Sequence, residues 1–227
     1  MLEKVVEKVV GPLKKSLDLI MADILDPWEK IHSETDSVVG ANEERNLEPV
    51  SKFYCMPLKH RCMVLGACTH AQIISAHIWP KHTYGKGLDA FELSPLDVNN
   101  PRNFLRLHNS IEKAFDRKRL TFVPVSVTSN GELKMKVIIL DPALLNEDVS
   151  YNQTIFKFST LHDMPFDYVF GPTTTPYTRL LSAHTLRAYS NGKMLGWPDA
   201  ENFEADVRPS VIEQARRSLG DISRFSM

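Results

Sequence analysis

Apolar positions recur in several rhythms along this chain. Leu2, Val5, Val6, Val9 and Val10 fall at helical spacing before the Gly11-Pro12 break. Leu13, Leu17, Leu19, Ile20, Ile24 and Leu25 then give a stripe reaching about Ile31, which predicts a second helix docked on the body or on another subunit. Pro27 is a boundary or the start of a new turn within it. Residues 33–50 are polar and acidic, end in Glu48-Pro49 and read as a linker or an extended crossing. Short apolar runs follow: Cys62–Leu65, ended by Gly66, and Gln72–Trp79, stopped by Pro80, both read as strands. Tyr84–Asn100, with its glycines, Pro95 and asparagines, reads as a long loop with one helical turn.

After that loop the signals sharpen. Asn103–Leu107 reads as a short strand, and Ser110–Arg117 has helical spacing through Ile111, Ala114 and Phe115. Leu120–Val127 and Leu133–Leu140 flank Asn130-Gly131, which predicts a hairpin. Farther on, Ile155–Phe158 is a strand candidate, Tyr177 to Tyr189 a helix with Asn191-Gly192 behind it as a cap or turn, and Pro209–Leu219 a further helix. The expected fold class is α+β: one body with a helical leader and helices at the carboxy terminus.

Composition alters this picture little. The chain has 227 residues, is 43% hydrophobic and carries a net charge of −1. No apolar run approaches the roughly 18 residues that a membrane span needs. Charged residues from the third position onward argue against a secretory signal, so an intracellular protein is expected, with nothing choosing between nucleus and cytoplasm. Charge is unevenly placed: residues 1–50 hold eleven acidic and six basic residues, whereas residues 51–124 hold eleven basic and five acidic. A local positive field of that kind suits a polyanion. The three cysteines, Cys55, Cys62 and Cys68, form no CxxC pair, and their loose spacing around His60 and His70 does not favour structural zinc. Buried thiols are the plainer reading.

The candidate chemistry lies in the positive segment. A strand ending in Ala76-His77-Ile78 is followed by a loop, then Pro101-Arg102-Asn103 leading into a second strand, then a helix bearing Glu112 and Asp116. Four residues apart, Glu112 and Asp116 share a helix face. Two carboxylates opposite a strand histidine form a set able to hold one divalent ion with a base beside it.

These residues resemble the HNH endonuclease family, specifically its fungal-type domain, over about residues 61–124. The resemblance rests on Arg61-Cys62, Gly66, Ala76-His77-Ile78, Pro80, Pro101-Arg102-Asn103 and Ile111 to Asp116 taken together. It implies a ββα-metal nuclease core. His77 would be the general base activating water, and Asn103 would tie loop to strands. Glu112, with Asp116, would hold one magnesium or manganese ion, and Arg61, Arg102, Arg117 and Arg119 would contact phosphates. The family places a metal-ligating histidine where this chain has Glu112. Glutamate suits a hard ion, and the exchange equally fits a module that binds without cutting. The expected organisation is a leader and acidic linker over residues 1–50, the HNH-like module with its hairpin over 51–140, and a carboxy-terminal α/β extension over 141–227.

Two further function classes stay open beside a DNA endonuclease: a cleavage-inactive nucleic-acid-binding or regulatory protein, and a scaffold acting through its helices. The expected partner is nucleic acid, DNA ahead of RNA, with the choice between them open; no aromatic RNA-recognition motif is apparent. A homodimer through the amino-terminal helices is compatible with the stripe before Ile31.

Overall fold

The computed structural model describes residues 47–56, 60–68 and 72–202. The expected leader helices, the helix at Pro209–Leu219 and His70 lie outside the described residues. Within them the architecture is mixed α and β. Four antiparallel strand pairs are arranged with three α-helices and a series of 3-10 turns. No helix among the described residues is long and apolar enough to cross a membrane.

The first element, α1 (Leu47–Phe53), occupies the end of the stretch expected to be a linker. Pro49 falls in the first turn, where its missing N–H interrupts no helical hydrogen bond, so Glu48-Pro49 opens a helix here. Tyr54, directly after α1, is fully buried and donates its hydroxyl to the Phe104 carbonyl at 2.8 Å.

The strand expected at Cys62–Leu65 is instead the tip of a small hairpin, β1 (Arg61–Cys62) with β2 (Gly66–Ala67). Met63 and Val64 are nonetheless buried. The tip is inserted between two other backbones: the Met63 amide donates to the Arg106 carbonyl at 2.8 Å, and the Tyr168 amide to the Met63 carbonyl at 2.9 Å. An apolar turn plugged into the body reads like a strand in the sequence, because burial and not extension sets its composition.

Five expected elements are present. β3 (Ile73–His77) pairs antiparallel with β4 (Phe104–His108), setting Ile73 opposite His108 and His77 opposite Phe104. Directly after β4 comes α2 (Asn109–Asp116), which buries Ile111, Ala114 and Phe115 at helical spacing. β5 (Leu120–Val127) and β6 (Leu133–Ile139) form the hairpin around Gly131, whose φ of 77° is the left-handed conformation the Asn-Gly turn requires.

The hairpin of β5 and β6 is covered on both faces, so its strands read as continuous apolar runs at one end. One face gives Leu120, Phe122, Val137 and Ile139 to the main core. The other gives Val123 and Ile138 to a second cluster with Ala188, Tyr189 and Ala200, formed against α3 (Thr178–Met194). Phe115 stacks on Phe122 at 4.9 Å between centroids. Burial of each such ring contributes about 1.5–3 kcal/mol.

Two sequence expectations are corrected at this end. α3 continues past Asn191-Gly192 to Met194, so this pair is neither cap nor turn. Gly192 is a packing glycine: a Cβ there would lie 2.7 Å from the Ala200 Cβ and 3.1 Å from the Trp197 ring. The strand expected at Ile155–Phe158 is β8 (Thr154–Lys157), and it pairs with a strand not anticipated, β7 (Asp148–Tyr151). The two residues joining them, Asn152 and Gln153, both have positive φ, 51° and 64°. This is a tight turn built without glycine, which left no turn signal in the sequence.

Candidate active site

The site is built around the place where β3 ends. His77 is the last residue of β3; its half-buried ring lies against that of Phe104, its cross-strand partner, with centroids 4.1 Å apart. Pairing alternates along the two strands, so His77, Ser75 and Arg106 share one face and Ala76, Leu105 and Leu107 the other. α1 reaches the first face: the fully buried Arg106 guanidinium donates to the Ser51 hydroxyl at 2.9 Å.

Asn103 closes the strand end. It is fully buried at the end of the 3-10 turn Pro101–Asn103, immediately before β4. Its Oδ1 accepts from the Trp79 amide at 2.8 Å. Its Nδ2 donates to the Trp79 carbonyl at 3.0 Å and to the Val98 carbonyl at 2.8 Å. The Asn103 carbonyl also accepts from the Ile78 amide at 2.8 Å. One side chain thus uses both its functions to hold the two backbone groups of Trp79 and the far end of the intervening loop. An amide can do this because it presents acceptor and donor on one planar group.

The loop between Trp79 and Asn103 is a string of 3-10 turns. Ser94 caps one of them with a reciprocal pair of bonds: its hydroxyl accepts from the Leu96 amide, and the Asp97 carboxylate accepts from the Ser94 amide at 2.8 Å. A clasp from the far end of the chain fixes the outer side of this loop. The Tyr177 hydroxyl donates to Asp97 Oδ1 at 2.7 Å, which holds the Asp97 carboxyl below its ordinary range. Burial, reinforced by that carboxylate, pushes the Tyr177 phenol up to about 12. Arg102 lies over the Tyr177 ring, 4.6 Å from its centroid, and donates to the Thr175 carbonyl at 3.0 Å. Arg179 bonds Glu92 at 2.5 Å and the Phe91 carbonyl at 3.1 Å.

α2 begins on His108. Its Nδ1 accepts from the Ser110 amide at 3.3 Å, and its Nε2 lies 2.9 Å from Gln72 Oε1. Burial lowers the His108 pKa, which keeps the ring neutral and available as an acceptor. His108 is therefore the helix cap, and Glu112 lies one turn beyond it. Glu112 is 6% exposed, whereas Asp116, one further turn along, is exposed. Among the described residues, no group of three or more histidine, cysteine, aspartate or glutamate side chains is arranged to hold a metal ion.

The four arginines expected to face phosphate sit in different surroundings. Arg61 pairs with Asp167 at 2.5 Å. Arg119 pairs with Asp141 and Glu147, each at 2.5 Å, and the Glu147 bond is the first cause of its raised pKa. Arg102 belongs to the Tyr177 clasp. Arg117 is exposed at the end of α2. The cysteines are free thiols, Cys55 exposed and Cys62 and Cys68 buried, and Cys62 Sγ accepts from the His108 amide at 3.3 Å.

His184, in α3, is fully enclosed. It stacks on Phe115 with centroids 3.7 Å apart, lies 2.9 Å from the Phe115 carbonyl through Nε2, and 3.2 Å from the Thr121 hydroxyl through Nδ1. Desolvation drives its pKa down to about 3. It is a neutral packing residue that joins α3 to α2 and β5.

The sequence reading did not reach Tyr177, Arg179 or the capping role of His108. Tyr177 and Asp97 are 80 residues apart, and no local pattern connects them. The cap did carry a local signal, a polar residue directly before the helical rhythm of Ile111, Ala114 and Phe115.

No curated protein and no solved structure matches the chain. The segment that supplies β3, the loop, β4 and α2, with His77, Asn103 and Glu112 among its residues, does match a family model: residues 62–123 are similar to the HNH endonuclease family.

Proposed function

We propose that this chain is a divalent-metal-dependent endonuclease of the fungal HNH type that hydrolyses phosphodiester bonds in DNA. The observation carrying this reading is the Asn103 network. Within the family-matched segment, one buried amide binds both backbone groups of Trp79 and so fixes the strand end from which His77 projects.

His77 is the general base. A neutral imidazole, with a reference pKa of about 6.5, takes a proton from water near neutral pH. The resulting hydroxide forms the new bond to phosphorus, and the bond to the 3′ oxygen breaks. That oxygen leaves with a proton drawn from solvent, giving a 3′ hydroxyl and a 5′ phosphate. Packing of the imidazole on Phe104 restricts the directions in which its nitrogens can face.

Glu112, with Asp116, would hold a magnesium or manganese ion. Carboxylate oxygens suit such an ion, and magnesium retains several waters with one or two carboxylates, so a closed set of three protein ligands is not required. When bound, the ion supplies positive charge where the phosphate and the leaving oxygen become negative. Arg117 is the most accessible of the four arginines for phosphate, because Arg61 and Arg119 would first have to leave their carboxylate partners.

The test is nicking of supercoiled plasmid with magnesium or manganese, against EDTA and against His77→Ala. Metal-dependent nicking that falls by about 10²–10⁴-fold in the variant is the expected result. If folded wild-type protein binds DNA in salt-dependent fashion but does not nick, Glu112 marks a cleavage-inactive binding module and the endonuclease reading is wrong.

A further inference from the structure

The turn that follows the His77 strand carries a feature the reaction does not use. After Pro80, a 3-10 turn over Lys81–Thr83 ends on Tyr84, which has φ 52° and ψ 30°. Glycine adopts this left-handed conformation without penalty and an aromatic residue does not. Packing gives the Tyr84 side chain no compensating role, since the residue is 81% exposed. Among the described residues, Tyr84 is the one aromatic among the large exposed apolar side chains.

The backbone beneath it is held firmly. The Tyr84 amide donates to the Lys81 carbonyl at 3.0 Å, and the Lys86 amide to the Thr83 carbonyl at 3.0 Å. The buried Thr83 hydroxyl donates to the Pro80 carbonyl at 2.7 Å and accepts from the Gly85 amide at 3.2 Å. Gly85 abuts the backbone of Pro95, where a Cβ would lie 2.3 Å from the carbonyl oxygen. The next residue, Leu96, is itself 83% exposed. The Trp79 indole N–H donates to the Lys86 carbonyl at 3.1 Å, and Trp79 is also the residue whose backbone Asn103 holds. The tip therefore shares its anchor with the strand end that carries His77.

Its charge is that of a polyanion contact. Lys81 and Lys86 are exposed on either side of Tyr84, and residues 79–87 contain no acidic residue. Of the acidic groups farther along the loop, Glu92 is paired with the Arg179 guanidinium, Asp97 keeps its negative charge under the Tyr177 hydroxyl, and the exposed Asp89 is the nearest in sequence. An exposed ring on a hydrogen-bonded tip, with a lysine on each side of it in the sequence, fits a nucleic-acid strand with an unstacked base: the ring takes the base face and the ammonium groups the flanking phosphates.

We propose that Tyr84, between Lys81 and Lys86, receives an unpaired base of a DNA strand and so directs the protein toward single-stranded or branched DNA. This rests on the nucleic-acid reading above and adds its substrate class. The test is binding of the full chain to a short fluorescein-labelled single strand and to the matching duplex, in EDTA to prevent cleavage. Tyr84→Ala is expected to weaken single-strand binding by about ten-fold, leaving the duplex within about two-fold. Tyr84→Phe should retain affinity. Tyr84→Gly should lose it while unfolding no more readily than wild type, since glycine relieves the backbone. Lys81→Gln with Lys86→Gln should flatten the dependence of log affinity on log salt for the single strand by about 1.4. Unchanged single-strand affinity in Tyr84→Ala overturns the Tyr84 contact alone. A wild-type chain that binds neither DNA overturns the nucleic-acid reading with it.

Discussion

Asn103→Ala removes three side-chain hydrogen bonds in a place that water does not reach, since Asn103 is fully buried. The Trp79 amide, the Trp79 carbonyl and the Val98 carbonyl all lose their partner. Each buried group left unsatisfied costs about 1–3 kcal/mol, so the sum is about 3–9 kcal/mol before any relaxation. Domains of ordinary stability have about 5–15 kcal/mol to lose, so the variant should show a much lower urea midpoint and, toward the upper end of that sum, lose the fold. Asn103→Asp makes the test sharper, because size and shape are preserved. One carboxylate oxygen still accepts from the Trp79 amide, but the other faces two carbonyl oxygens and repels both. Burial beside those dipoles raises the aspartate pKa above its reference of about 3.9. The folded state then binds more protons than the unfolded state between those two values, so stability rises as pH falls through the raised pKa. The assay is the urea midpoint of Asn103→Asp and wild type, with their difference followed from about pH 7 to about pH 4. That difference should be largest near neutrality and shrink on acidification. An aspartate variant within about 0.5 kcal/mol of wild type at neutral pH, or a difference independent of pH, would refute the reasoning.

His184 gives a pH dependence of opposite sign. Its folded pKa of about 3 lies below the unfolded value, so its contribution is complete above about pH 6.5 and is lost as pH falls toward 3, by a little over 1 kcal/mol per unit. His184→Gln, which does not titrate, should therefore narrow its stability gap to wild type on acidification; a gap that stays constant from about pH 7 to about pH 4.5 would contradict this. Tyr177→Phe removes the bond to Asp97 at the half-exposed clasp, worth about 1 kcal/mol after allowance for solvent. Amide exchange over residues 88–100 should speed up while the β5 and β6 hairpin is unaffected, and equal protection of the loop in both proteins would show that the clasp does not hold it.

The local part of this architecture was legible in the sequence. β3, β4, α2 and the hairpin of β5 and β6 are set by periodicity and by the Asn130-Gly131 turn, which act between neighbours in the chain. The order strand, loop, strand, helix, and with it the placement of His77, Asn103 and Glu112, followed from the same short-range signals. Where the signal was missing or carried another meaning, the reading failed. Asn152-Gln153 turns without glycine and concealed β7, Gly192 is small to admit Ala200 rather than to end a helix, and the apolar tip at Met63 and Val64 is buried without being a strand. Tertiary structure alone decided which polar groups meet. Arg61 finds Asp167, Arg119 finds Asp141 and Glu147, and Tyr177 reaches back to Asp97. Such pairs are fixed by how packed elements meet across the core, and residue type at one position says little about a partner 80 or 106 residues away. The exposure of Tyr84 was likewise invisible in one dimension, because an aromatic residue in a loop reads the same whether its ring fills the core or stands in solvent.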